Sequence, residues 1–178
     1  ELGKNFAQWN GSNWIMIDGL DGKINTLEAT VGYLILGGKF NYDTASNVNA
    51  IKWSSASSFQ KFPNKINNEV MDIEFYQDTL HVACKRTIPT DTLNLFLKLR
   101  DDKWVSFYEK KLSFEKFRTA DTLSFNSLCS EGSAMNVGGY FFYAPIIGTV
   151  GINCISYGSY WVNVDSTVNK MVLFKGDL

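Results

Sequence analysis

Apolar and polar residues alternate along this chain in short runs, and Gly, Asn, Asp and Ser clusters separate the runs. A period of two bounded by turn formers predicts strands rather than helices. The clearest run is Ile24–Phe40, INTLEATVGYLILGGKF, which predicts two strands joined by a tight turn and closed by Gly37-Gly38. The pattern returns at Val70–Arg86 and at Phe125–Phe141, and it starts once more at Val168. Between these hairpins lie further strand-like runs. Phe6–Trp9 and Trp14–Ile17 flank Asn10-Gly11, a hairpin signal because both turn residues tolerate φ > 0. Asp18–Gly22 then reads as a loop, and the polar stretch Asn41–Asn47 as another. Ala50–Trp53 and Phe59–Phe62 complete the first cycle. In the second cycle, Glu69–Phe75 and Leu80–Cys84 pair across Gln77-Asp78, and Leu95–Leu99 and Trp104–Phe107 pair across Asp101-Asp102. Residues 109–121 form a longer connection, with either one helical turn or an irregular path. Leu123–Leu128, Ala134–Val137, Ile152–Ser156 and Trp161–Val164 form the third cycle, and Val168–Phe174 is a last strand.

The register of these cycles is regular. Leu27, Ile73 and Leu128 each stand ten positions before Gly37, Ala83 and Gly138, so the units repeat at offsets of 46 and 55 residues. The longer offset contains the 109–121 connection. Four short strands recurring every 45 residues or so predict the blades of a β-propeller. The units fall at about 6–22 (partial), 23–63, 64–108, 109–164 and 165–178 (partial). The fold class expected is therefore all-β: a propeller of four-stranded antiparallel blades, partial, with three complete blades and half-blades at both ends. Such a sheet is apolar on both faces and is stabilised by packing on its neighbours. Trp14, Phe59, Trp104 and Trp161 are expected to fill the space between blades, each costing about 3–5 kcal/mol if cut to Ala. The ring is expected either to continue in a longer chain, to close with both ends sharing a blade, or to be completed by self-association.

Charge and composition narrow the function classes. Lys and Arg total 17 against 18 Asp and Glu. Without a basic field, nucleic acid and anionic membrane surfaces are disfavoured partners. No apolar run approaches the 18 or so residues that span a bilayer, so membrane insertion is not expected. Cys84, Cys129 and Cys154 follow no disulfide-framework or CxxC metal spacing and read as buried thiols, with a bridge between one pair the alternative in an oxidising compartment.

Candidate chemistry is sparse. His81 is the only histidine, and its place between Leu80 and Val82 makes it a packed strand residue. No GxSxG elbow accompanies it. Asp18, Asp21 and Asp43 invite a calcium reading, but DGLDG lacks the ligand count of such a loop and reads as a turn. No catalytic residue, metal ligand or cofactor is therefore expected. Asp72 and Glu74 alternate with Met71 and Ile73 on an inner strand, so their carboxylates can line a central channel as a ligand or water site. Phe142 and Tyr143, within YFFY beside Pro145, form a ligand-binding patch if exposed, or core if not. Asn10-Gly11-Ser12 fits the N-glycosylation rule, although the hairpin already explains it.

A Gly-Gly pair, an aromatic some fifteen residues on and a Trp beyond it resemble kelch/galactose-oxidase-like propeller repeats of secreted and cell-surface bacterial proteins. GGKFNYDTASNVNAIKWSSASSF (residues 37–59) and FAQWNGSNW carry the likeness, while Ala83-Cys84 departs from it. The resemblance implies a five- to seven-bladed ring and an extracellular or cell-surface location. With one histidine and no identifiable cysteine–tyrosine pair, the oxidase chemistry is not carried over. The function expected is a non-enzymatic module binding a protein or carbohydrate through its blade loops. The alternatives are the propeller part of a carbohydrate-active lyase or hydrolase, and an intracellular kelch-like adaptor.

Overall fold

Three bulged hairpins, each continued by two more antiparallel strands, organise the chain. The computed structural model describes residues 5–45, 47–54, 58–86, 95–106, 124–131, 134–141, 152–156 and 161–162. Every regular element among them is a strand. A two-stranded hairpin comes first, β1 (Ala7–Trp9) with β2 (Trp14–Met16). The first four-stranded meander is β3 (Leu20–Thr30), β4 (Tyr33–Tyr42), β5 (Ala50–Ser54) and β6 (Ser58–Lys61). The second is β7 (Glu69–Tyr76), β8 (Thr79–Lys85), β9 (Phe96–Arg100) and β10 (Lys103–Ser106). The third is β11 (Ser124–Glu131), β12 (Ala134–Phe141), β13 (Ile152–Ser156) and β14 (Trp161–Val162). A single pair, Ser124 with Lys85, joins the second and third meanders into one hydrogen-bonded sheet. Among the described residues the meanders close into no ring. The last strand expected, Val168–Phe174, and the 109–121 connection lie outside the described residues.

The repeat seen in the sequence reappears in the hydrogen bonding. Each opening hairpin has a β-bulge at the same rung: between Ile24 and Thr26, between Val70 and Asp72, and between Phe125 and Ser127. Thr26 then faces Gly37, Asp72 faces Ala83, and Ser127 faces Gly138. A bulge adds one residue and sharpens the twist, and each hairpin has five rungs between bulge and turn, so the three bend alike there.

The glycine pair does not end its strand, but it does admit the close backbone approach expected of it. β4 does not end at Gly37-Gly38 but runs on to Tyr42, pairing with a β3 that begins at Leu20. The stretch Asp18–Gly22, expected as a loop, thus gives its last residues to a strand. Glycine is needed here for close approach. A Cβ at Gly37 would strike Val70 and Ile73 of the next meander, and one at Gly38 would strike the Lys23 carbonyl and Ile24 Cα across the bulge. Gly139 meets the corresponding atoms of Ser124 and Phe125.

The first meander buries both faces. Ile35 and Ala50 join the main core with Val70, Ile73, Val82, Phe96, Phe125 and Leu128. Leu36, Ile51 and Trp53 face a second core closed by Phe6 and Ile17. Successive strand residues point to opposite faces, so the apolar runs of β4 and β5 feed two cores at once. Trp104 is buried at the seam, its ring 4.8 Å from that of Phe62. Phe59 is half-buried on Tyr42. Trp14 departs from expectation: it is 68% exposed, on a hairpin that pairs with no other strand among the described residues. The Trp161 side chain lies outside the description.

Candidate functional site

The polar residues of the inner strands β3, β7 and β11 meet in one row. β7 pairs only with β8, and β11 pairs with β12 and, at one rung, β8, so each keeps a backbone edge turned toward the preceding meander. Unpaired edge amides need acceptors. Asp72 supplies one. It is 3% exposed and accepts hydrogen bonds from Thr26 Oγ1 (3.0 Å), Ser127 Oγ (3.3 Å) and the Leu128 amide (2.9 Å). Glu74 accepts the Ser130 amide at 3.1 Å and the Ser130 hydroxyl. Glu28 accepts the Phe75 amide in the same way. Burial first, then Glu74 and Asp72, push the Glu28 carboxyl above its ordinary value, against the lowering effect of the Phe75 amide. Asn25, the bulge residue of β3, donates to the Val70 carbonyl (2.7 Å) and to Glu69 Oε1 (3.1 Å).

Asp72 and Glu74, singled out from the sequence, are therefore brought together on β7 with Glu28 between the meanders. Their oxygens are engaged by Thr26, Ser127, Leu128 and Ser130. No group of three His, Cys, Asp or Glu among the described residues is arranged to hold a metal ion. Phe142 and Tyr143, the other sequence candidates, lie outside the described residues. His81 is buried at 4% exposure, with Nδ1 3.1 Å from the Thr79 carbonyl and its ring between Tyr76 and Phe96. Burial pushes its pKa down, and Lys98 adds to this against the Thr79 hydrogen bond. Cys84 is buried and Cys129 half-buried, both as thiols.

Two surface features stand out among the described residues. The β1–β2 hairpin exposes Trp9 (51%), Trp14, Ile15 and Met16, and the two indoles lie 5.6 Å apart at 57°. Its tip is a four-residue loop rather than the two-residue Asn-Gly turn that the sequence suggests. Asn10 Oδ1 accepts the amides of Ser12 and Asn13, and Gly11 alone of the tip residues has positive φ. Residues 5–17 carry no ionisable side chain. A cleft of about 450 Å³ lies elsewhere, lined by Thr44, Ala45, Val48, Ala50 and Lys61–Lys65.

Two asparagines passed over in the sequence hold the meanders together. Asn49, buried at φ 59°, accepts the Phe40 amide and donates to the carbonyls of Ile66, Asn67 and Asn68. Asn64 accepts the Trp104 amide (2.8 Å) and donates to the Trp104 carbonyl (2.7 Å), completing a rung beside β10. Asn after a polar loop is an ordinary turn signal, so no pattern in the sequence separates these two from Asn41 or Asn47. No family model, curated protein or solved structure matches this chain.

Proposed function

We propose that this chain is a module of kelch/galactose-oxidase-like propeller repeats, secreted or displayed at a cell surface, that binds a protein or carbohydrate ligand without catalysing a reaction. Three meanders with the same bulge at the same rung, each inner strand braced on the next, support the repeat reading. The observation that carries the binding reading is the exposed Trp9–Trp14 pair on an uncharged hairpin. Exposed aromatic patches of this size mark contact surfaces, and indoles add a polar N–H to a large apolar face. A carbohydrate-active enzyme needs two carboxyl groups free to trade protons with substrate. The carboxyl groups of Asp72 and Glu74 serve instead as backbone acceptors.

Titrating tryptophan fluorescence with a panel of neutral and acidic oligosaccharides tests the reading, beside pull-down with surface extracts. Saturable quenching lost in Trp14→Ala supports it. Product release from any panel member, abolished by Asp72→Asn in a variant that still folds, sinks it in favour of the enzyme.

A further inference from the structure

We propose that Glu28, Asp72 and Glu74 form an acid-responsive latch, in which inner-strand carboxylates grip the backbone edge of the next repeat and discharge of Glu28 tightens the β3–β7 seam. Glu28 and Glu74 occupy the same rung of successive hairpins, opposite Ile35 and His81. Their targets, the amides of Phe75 and Ser130, lie one strand further on at matching positions of β7 and β11. The same contact thus occurs at two separate seams, each time at an amide of the next inner strand.

The two grips differ in charge. Glu74 faces β11, which presents the Ser130 amide and hydroxyl, and the equivalent of its own position there is Cys129, a thiol. Glu28 instead faces β7, which presents Asp72 and Glu74, both acidic. Across β4 it faces Ile35, and beyond β7 the β11 groups are the hydroxyls of Ser127 and Ser130. At neutral pH the seam therefore gathers three carboxylates where the hydrogen bonds need fewer charges. A carboxyl whose folded-state pKa is raised is best accommodated when protonated. Its contribution to stability is full below its ordinary pKa and is lost as pH rises through the folded value. Acidification from neutral pH thus strengthens the first seam.

The histidine complicates a bare pH profile. His81, with its pKa lowered, contributes stability that is present above the ordinary histidine value and lost as pH falls through the folded one. A comparison of variants separates the two. Urea unfolding of the wild type and Glu28→Gln at pH 7 and pH 5 is expected to show a higher midpoint for Glu28→Gln at pH 7 and a smaller gap at pH 5. Carboxyl NMR titration of Glu28 is expected to move to lower pH in Glu74→Gln. An equal gap at the two pH values, or a Glu28 titration indifferent to Glu74→Gln, overturns the latch. The NMR arm decides alone if Glu28→Gln does not fold.

Discussion

At the scale of single residues, a few buried polar side chains hold this fold together beside its apolar cores. Asn49 satisfies one amide and three carbonyls from a left-handed backbone position. Asn49→Ala strands those groups and adds a Cβ residue ill suited to φ > 0, for a loss of about 2–4 kcal/mol in chemical denaturation. Asn49→Gly keeps the backbone comfortable, so the difference between the two variants measures the strain. Asp72→Asn leaves a buried side chain of the same size but turns one acceptor into a donor facing the Leu128 amide or the Ser hydroxyl. It is expected to cost about 1–3 kcal/mol and to speed hydrogen exchange at Leu128. None of these roles can be read from residue type. His81 was legible, because alternation with Leu80 and Val82 fixes which way its ring points.

Strands and hairpins were the most legible level. The turns at Gln77-Asp78 and Asp101-Asp102 have both residues at positive φ, as short hairpin turns require. β5, β7 and β13 begin where alternation starts. What the pattern hid was the continuation of β4 through Gly37-Gly38: glycine there is dictated by a neighbour 33 and 36 positions away, Val70 and Ile73, and not by a turn. Gly37→Ala is accordingly expected to cost about 1–3 kcal/mol by overpacking the seam. Gly38→Ala, which meets backbone, is expected to cost more, and thermal melts of the pair check the order. The aromatics divide in the same way. Trp104→Ala should lose about 3–5 kcal/mol, whereas Trp14→Ala, on an open hairpin, should lose less than about 1 kcal/mol. An equal loss at both positions in solution would mean that the hairpin is covered by another copy of the chain, which light scattering across a dilution series reads directly.

For the whole molecule, the sequence carried the order of strands and the repeat offsets but not what lies between repeats. Each opening hairpin has five rungs between its bulge and its turn, and the bulges then set a common twist. Ring closure depends on contacts outside any one repeat. The seams themselves add something else. Asn25 reaches Val70 and Glu69, Thr26 reaches Asp72, and Asp72 reaches Ser127 and Leu128. At the matching bulge positions stand Asn25, Met71 and Asn126, and beside them Thr26, Asp72 and Ser127, so the acidic second repeat presents groups that the amide- and hydroxyl-bearing first and third do not. The inner row works as an address written in hydrogen-bonding groups. A chain with the first and second repeats transposed would keep its hydrophobic pattern and every hairpin turn, yet would place Asp72 against partners that do not answer it. Shuffled or duplicated repeats should therefore fold as separate hairpins more readily than as a stack. The sequence of this protein thus specifies not only what its repeats are but that the acidic one stands between the two that bear hydroxyls.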